Sequence, residues 1–159
     1  MYLAVRRPFP WGVLLSYLSL RSIPVVEHLT SDTYTRVLGA GRVKVTFDAE
    51  RAWLQITTEG RIDREEARRR VAALFDVDFD FAPIESVLGR SRYLAPAIRA
   101  VPGVRPLGAW DAFELCVRTI LGQQVTVAAA RTLMLRWVER CGEITPERVL
   151  AADTRQMGI

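Results

Sequence analysis

The segment from Asp111 to Gly142 most constrains the fold, because it encodes two helices joined by a short polar turn. Asp111 followed by Glu114 is the pattern of a capping box, which predicts that a helix starts at Ala112. Apolar residues then recur at helical spacing. They are Phe113, Val117, Ile120 and Leu121 in the first helix, and Val125, Ala129, Leu133 and Trp137 in the second. Gly122 is predicted to end the first helix and Gly142 the second.

The turn between the two helices, Gly122-Gln123-Gln124-Val125-Thr126, has two interpretations. From composition alone it is a solvated connection, because most loops are polar surface. Its sequence context points to a more specific role. The run DAFE…VRTILGQQVTVAAA resembles the corresponding segment of the bacterial 3-methyladenine DNA glycosylase II family, the AlkA type of the helix-hairpin-helix glycosylase superfamily. In that family this turn enters the minor groove of DNA, and one side chain fills the gap left by a flipped base.

The resemblance implies specific roles for the residues of the turn. Gln123, Gln124 and Val125 match the positions that contact DNA, and Gln124 matches the side chain that fills the gap. Some family members carry Leu at that position, whereas Gln is polar and would fill the gap differently.

The N-terminal segment adds a second candidate site. Pro10 is well placed to open a helix whose apolar face carries Trp11. The other members of that face are Leu14, Leu15 and Leu18. The simpler interpretation is that Trp11 is a core aromatic and that Tyr17, which lies off the apolar face, is a boundary aromatic. The resembling family has the pattern P-x-x-W-x-x-x-L-x-aromatic-L here and sends an aromatic side chain toward the base pocket. The resemblance therefore implies that Tyr17, together with Trp11, belongs to that pocket.

The region that follows predicts a sheet. Between residues 25 and 59 the apolar period changes to two, which is typical of an antiparallel meander with one buried face. Residues 1–7 predict an edge strand. The other candidate strands are Val25–Thr30, Thr33–Leu38, Val43–Phe47 and Ala52–Thr57. Gly60 is predicted to end the sheet. Asp63 with Glu66 is a second capping box, and opens a helix with a basic outer face.

The order helix, sheet, helix over the first 105 residues predicts an α+β layer. The resemblance implies a TBP-like α+β domain at residues 1–105, followed at 106–159 by the first helices of an all-helical glycosylase domain. Pro102-Gly103-Val104 resembles the start of a helix-hairpin-helix. Because Arg105 stands where that motif has Gly, and because the segment precedes the Gln turn, we do not assign it as the DNA-binding hairpin.

Few residues are suited to metal or nucleophilic chemistry. Cys116 and Cys141 are too few and too far apart for a metal cluster, and His28 is the only histidine. Cys116 is expected to be a buried small hydrophobe. On the same helix, Glu114 and Arg118 are spaced for a surface ion pair. The chain has no P-loop and no G-x-G-x-x-G motif, so neither a metal nor a cofactor is expected.

The charge balance favours a nucleic-acid partner without requiring one. The net charge is +4 and the pI is about 9.6, and Lys44 is the only lysine. Arginine suits bidentate contacts to phosphate, but such a balance is common among proteins that bind no nucleic acid. No apolar run approaches the ~20 residues of a membrane span, and no signal peptide is recognised. We expect a cytoplasmic monomer.

Three hypotheses follow. In the first, the chain is the N-terminal part of a DNA repair glycosylase that acts on double-stranded DNA with alkylated bases, and in the family an Asp assists the cleavage. No residue here matches that Asp, which is expected beyond Ile159, past a helix that starts near Met157. The chain alone is therefore expected to be inactive. The alternatives are a non-catalytic DNA-binding module and a structural fragment without a retained function.

Overall fold

The computed structural model describes residues 1–153 and shows an α+β architecture. A five-stranded antiparallel sheet has the strand order β1-β5-β4-β3-β2. Its strands are β1 (Tyr2–Ala4), β2 (Glu27–Leu29), β3 (Thr33–Leu38), β4 (Ala40–Asp48) and β5 (Trp53–Arg61). The predicted meander and N-terminal edge strand are therefore confirmed. The helices are α1 (Trp11–Ser19), α2 (Arg64–Phe75), α3 (Ala82–Leu88), α4 (Ala95–Ala100), α5 (Ala112–Leu121), α6 (Val127–Cys141) and α7 (Pro146–Ala151).

Alternation along β4 and β5 separates a buried sheet face from an exposed one. Val45 and Ile56 pair across the two strands and are buried, whereas the neighbouring Lys44 and Gln55 are exposed. Successive strand residues point to opposite faces of the sheet. The apolar residues of the buried face therefore form one side of the main core. The helices α1 and α2 supply the other side.

The prediction that Gly60 ends the sheet was wrong. Gly60 lies inside β5, where it pairs with Gly41 of β4. Its φ is +79°, and a Cβ at this position would lie 2.7 Å from the carbonyl oxygen of Ala40. Glycine is required here because it allows close approach of the two backbones in a left-handed conformation.

The helix α2 matches its predicted start and apolar face. Asp63 Oδ1 accepts hydrogen bonds from the backbone N–H groups of Glu65 at 2.9 Å and Glu66 at 3.2 Å. These bonds satisfy amides that have no partner inside the helix. Its buried residues are Ala67, Val71, Leu74 and Phe75. The outer arginines Arg64, Arg68 and Arg69 are exposed.

The segment that links the sheet region to α5 packs against the N-terminal strand region. Arg105 is only 5% exposed and donates to the backbone carbonyls of Arg6, Pro8, Asp76 and Gly103. Burying a guanidinium is tolerated when its donors find acceptors. A domain boundary between residues 105 and 106 stays a prediction.

A second, smaller core joins the helix pair to the sheet region. Ile23, which follows α1, is buried together with Met134 and Trp137 of α6 and with Ile144. Partly buried side chains of α5 pack against this core, namely Phe113, Val117 and Leu121. Ile120 does not join them: it is 66% exposed, so its predicted place on the buried face was wrong.

The C-terminal helix α7 begins as the sequence predicts. Thr145 Oγ1 accepts a hydrogen bond from the backbone N–H of Arg148 at 3.3 Å, with Pro146 at the first helical position. The further helix expected near Met157 lies outside the described residues. None of the helices formed by residues 1–153 has the length and apolarity needed to cross a membrane.

Candidate nucleic-acid interface

The Gln turn is a compact, exposed connection between α5 and α6. Gln123, Gln124 and Val125 are all exposed. On the N-terminal side, the backbone N–H of Gly122 donates to the carbonyl of Arg118 at 2.9 Å and closes the last turn of α5. On the other side, Thr126 Oγ1 accepts from the N–H of Ala129 at 3.1 Å and caps α6. Both ends of the turn are therefore fixed by helix termini.

Gln124 holds an uncommon backbone conformation at the apex of this turn. Its φ is 59°, in the left-handed region. That region costs an L-residue roughly 1–2 kcal/mol, which is why glycine usually occupies it. Gly122, which the sequence marks as the helix-ending glycine, has an ordinary helical φ of −85° instead. Strain of this kind is often stored where a side chain must be presented in a fixed direction.

A cavity of about 360 Å³ lies behind the turn, between α1, α5 and α6. Gly122 and Val125 line it, so the turn forms part of its rim. Other lining residues include Tyr17, Arg21, Trp110, Glu114, Arg118 and Met134. Tyr17 is 49% exposed, so its ring is accessible from this space.

The structure separates the two aromatic residues that the family resemblance assigns to a base pocket. Tyr17 lines the cavity, whereas Trp11 is buried in the main core and does not line it. The Trp11 indole N–H donates to the carbonyl of Asp32 at 2.9 Å, and its ring lies 5.0 Å from that of Phe75. Trp11 therefore anchors the helix that presents Tyr17.

Two arginines of the helix pair hold the backbone that follows α1. Arg118 Nη1 donates to the carbonyl of Arg21 at 3.1 Å, and Arg131 Nε donates to that of Ser22 at 2.6 Å. The side chain of Arg21 turns back over Tyr17, with its Cζ 3.8 Å from the ring centroid. These contacts fix α1 relative to the Gln turn.

Beneath the cavity lies a buried ionic cluster, formed by Glu27, Arg36, Glu114 and Arg118. Glu27 accepts from Arg36 and from Arg118, each at 2.9 Å. Glu114 accepts from Arg118 at 2.7 Å and also contacts Arg36. The hydroxyl of Tyr34 donates to Glu27 at 3.0 Å. The cluster thereby joins β2, β3 and α5.

The charges of the buried ionic cluster compensate one another. Burial would raise the pKa of Glu27, but the positive charges of Arg36 and Arg118 outweigh it, and the pKa lies below the ordinary value of 4.5. Burial, together with the neighbouring Glu27, raises the pKa of Tyr34. At neutral pH the carboxylate is therefore ionised and the phenol keeps the proton that it donates.

Sequence reasoning missed this cluster. The Glu114–Arg118 pair was predicted to lie on the surface, but the two side chains are only 12% and 22% exposed, so that prediction was wrong. One signal was present: Arg36 shares the strand parity of Tyr34, and both are buried. An arginine on the buried face of a strand indicates a buried partner.

Cys116 also differs from its prediction, since it is exposed rather than buried. It lies on the side of α5 that carries the exposed Leu115 and Ile120. Within residues 1–153, no group of three or more His, Cys, Asp or Glu side chains is placed to hold a metal ion.

Comparison with known sequences shows the family. The sequence profile of the AlkA N-terminal domain matches residues 1–111, and the chain belongs to that family. It is 31% identical over 167 residues to DNA-3-methyladenine glycosylase 2 of Escherichia coli (strain K12), across 94% of this chain and 57% of that protein. It is 24% identical over 144 residues to the DNA-3-methyladenine glycosylase of Bacillus subtilis (strain 168), across 85% of this chain and 48% of that protein. The resemblance to AlkA-type glycosylases is confirmed, and the chain spans only about half the length of these relatives.

Solved structures show the same fold. The 3-methyladenine DNA glycosylase from Archaeoglobus fulgidus matches with a TM-score of 0.81 at 18% identity, across 100% of this chain and 62% of that one. The structure of MBOgg1 in complex with a low affinity DNA ligand matches with a TM-score of 0.69 at 17% identity, across 99% of this chain and 59% of that one. The predicted α+β fold, an antiparallel sheet layer followed by helices, is confirmed.

Proposed function

We propose that this chain is the lesion-recognising part of a base-excision DNA glycosylase, which removes alkylated purines of the 3-methyladenine type after rotating them out of the duplex. The observation that carries the proposal is the Gln turn, in which Gln124 is exposed between Gly122 and Val125, two residues that line the same cavity as Tyr17. The relatives from Escherichia coli and Bacillus subtilis are named as DNA-3-methyladenine glycosylases, which supports the same reaction.

In the proposed complex, the Gln turn enters the minor groove and Gln124 fills the gap that the flipped base leaves. Its amide has two donor hydrogens and an acceptor oxygen, so it can hydrogen-bond to the base that has lost its partner. Gln123 and Val125 flank it and contact the neighbouring nucleotides. The left-handed backbone at Gln124 keeps the side chain at the apex while both helix ends stay capped.

The N-terminus of α6 suits a nearby phosphate. A helix N-terminus carries partial positive charge, and the first turn of α6 contains no acidic residue that would cancel it. Arg131 adds a positive charge further along the helix. Phosphate contacts of this kind position a protein on DNA without reading its sequence.

Tyr17 is the proposed stacking surface for the flipped base. A base and a phenol ring stack through their faces, and a cationic alkylated purine is also attracted by the negative face of the ring. Because α1 is anchored through Trp11, the ring is presented from a rigid element.

In the described part of the chain, every carboxylate that lines the cavity already has an ion-pair or hydrogen-bond partner. Glu27 and Glu114 are paired with arginines, and Asp111 caps α5 and contacts Arg70 at 3.4 Å. None of these three is free to stabilise a sugar cation. We therefore propose that a catalytic Asp, expected beyond Ile159, is required for cleavage, and that this chain alone binds damage without excising it.

Binding measurements test the recognition role. The affinity of the 159-residue chain for a duplex with an abasic-site analogue is compared with that for intact duplex, at low and high salt. We expect Gln124→Ala to weaken lesion binding by roughly tenfold, about 1.4 kcal/mol, and to affect intact duplex less. Gln55→Ala, an exposed glutamine on β5, is the matched control and should change neither value. Equal losses on both duplexes would contradict the role of Gln124.

Base release tests the proposal that this chain alone does not cleave the glycosidic bond. Incubation with alkylated duplex DNA should release no 3-methyladenine above a protein-free control. Release by this chain would show that it contains a catalytic group that the proposal denies it.

A further inference from the structure

The sheet face that points away from the main core carries two exposed aromatic rings. Tyr2 of β1 and Trp53 of β5 are 59% and 39% exposed, and their ring centroids lie 5.6 Å apart. Tyr2 pairs with Gln55, two residues from Trp53, so both rings stand on the same face. We call this surface the outer sheet face, and its other members used below are His28, Arg42, Lys44 and Glu59.

The outer sheet face also carries uncompensated positive charge. Arg42 and Lys44 are exposed residues of β4 that point to this face. Among residues 1–153, neither has a carboxylate within ion-pair distance, although Glu59 is the cross-strand partner of Arg42. At the end of the strand, Asp48 is already paired with Arg51 at 2.7 Å. Both cations of β4 are therefore available to an anionic ligand.

A cavity of about 420 Å³ lies over the basic part of this face. Its lining includes Arg42 and Lys44 of β4 and the exposed His28 of β2. Two carboxylates also line it. Glu59 is exposed, whereas Glu27 is buried and belongs to the buried ionic cluster on the other side of the sheet. The accessible part of the cavity thus has more positive than negative charge.

The aromatic rings and the cations follow one another along the strands. Lys44 pairs with Thr57, four residues from Trp53, which corresponds to about 13 Å along β5. Proteins that bind single-stranded nucleic acid combine rings on which bases stack with a positively charged groove for the backbone. An unpaired base exposes its faces to such rings, whereas a base inside a duplex is already stacked on its neighbours.

The outer sheet face is separate from the Gln turn. The helix that precedes the turn, α5, contacts the opposite side of the sheet, where Glu114 meets Arg36 and Arg118 meets Glu27. A ligand on the outer sheet face therefore leaves the turn accessible.

We propose that the outer sheet face binds single-stranded DNA, with bases stacked on Tyr2 and Trp53 and with phosphates at Arg42 and Lys44. The choice of DNA rests on the proposed function, which brings the chain to DNA, whereas the rings and charges do not depend on it. An acidic protein segment would match the cations but would leave the two rings without a stacking partner. The chain thereby holds an unpaired strand while the Gln turn probes a duplex.

Fluorescence anisotropy with a labelled oligothymidylate of about twelve nucleotides tests the stacking role on the 159-residue chain. We expect Trp53→Ala to weaken binding by roughly fivefold or more, the lower end of a stacking contribution per base. Trp53→Phe keeps a ring and should keep most of the affinity. Tyr93→Ala removes an aromatic ring that is 74% exposed outside the sheet, and as the matched control it should leave the affinity unchanged.

Salt titrations of the same binding test the charges. Lys44→Gln should reduce the slope of log affinity against log salt by roughly 0.7, the value for one phosphate of a single strand. Arg64→Gln removes a positive charge from the outer face of α2 and should leave that slope unchanged. Glu59→Gln should act in the opposite direction and strengthen binding by about twofold to threefold, because it removes a repulsion of the phosphates.

Three results would overturn the proposal. They are equal oligothymidylate affinity of Trp53→Ala and the parent chain, tighter binding of an acidic peptide, and tighter binding of the matching ribonucleotide oligomer. Thermal unfolding checks that each variant is folded. If Trp53→Ala does not fold, Tyr2→Ala replaces it with the same expected loss.

The preference for abasic duplex is measured in parallel, and Trp53→Ala should leave it unchanged. If that preference persists while Trp53→Ala binds oligothymidylate like the parent chain, only the proposal for the outer sheet face fails. If the preference is absent from every chain while the losses in Trp53→Ala and Lys44→Gln are seen, the recognition role of the Gln turn fails and single-strand binding by the outer sheet face stands.

Discussion

Arg118 of α5 donates to Glu27 of β2 at 2.9 Å, across 91 residues of sequence. The contact joins the helix that precedes the Gln turn to the inner face of the sheet. Both partners are shared, since Arg118 also binds Glu114 and Glu27 also binds Arg36. We infer that this buried ionic cluster sets the orientation of α5, and with it the position of the Gln turn.

Removing the charge of Glu27 should destabilise the protein strongly. In Glu27→Gln, the guanidinium groups of Arg36 and Arg118 lose a shared carboxylate while they remain inside the protein. Breaking one partner of a buried ion pair typically costs roughly 3–5 kcal/mol. Denaturant unfolding, followed by fluorescence, measures the change. Glu59→Gln, an exposed position on β5, should stay within about 0.5 kcal/mol of the parent chain, and a similar value for both variants would contradict the prediction.

The acid stability of the protein should depend on the same carboxylate. Because the pKa of Glu27 is lowered in the folded state, its contribution is present above the ordinary value of 4.5 and is lost as the pH falls through the lowered pKa. The unfolding free energy of the parent chain should therefore decrease more steeply below pH 4.5 than that of Glu27→Gln. Chemical unfolding at a series of acidic pH values measures both curves, and parallel curves would contradict the assignment.

Gln124→Gly should separate stability from recognition. Glycine adopts positive φ readily, so the substitution should leave stability unchanged or raise it by up to about 1 kcal/mol. It also removes the side chain proposed to fill the gap, so the preference for abasic duplex should fall. Thermal unfolding and duplex binding are measured on the same preparation. Gln123→Gly, whose native φ is not left-handed, is the control and should be destabilising. A loss of stability in Gln124→Gly would contradict the strain described at this position.

The two cysteines should react at different rates with a thiol reagent. Cys116 is exposed and Cys141 is partly buried, so Cys116 should be modified first in the folded chain. Mass spectrometry of the partly modified protein identifies the site, and Cys116→Ser should remove the fast phase. Equal rates for both thiols in the native chain would show that the exposed side of α5 is covered in solution.

Much of the fold could be predicted because its signals are local. The capping aspartates at positions 63 and 111 act on amides a few residues away, and the alternation of Val43 and Val45 with Lys44 follows from strand geometry alone. The Gln turn could be recognised for a similar reason, because the order of its residues lies in one short segment. The left-handed backbone of Gln124 was not evident from the sequence, because that conformation is usually adopted by glycine.

By itself, the sequence determined the kinds of elements, their order and most of their ends, since these depend on neighbours along the chain. The tertiary structure decided which charged residues meet, as in the cluster of Glu27, Arg36 and Arg118, because such partners are distant in sequence. It also decided that Ile120 and Cys116 are exposed. Helical periodicity shows which residues share a face, but only the packing of the whole chain shows which faces are covered.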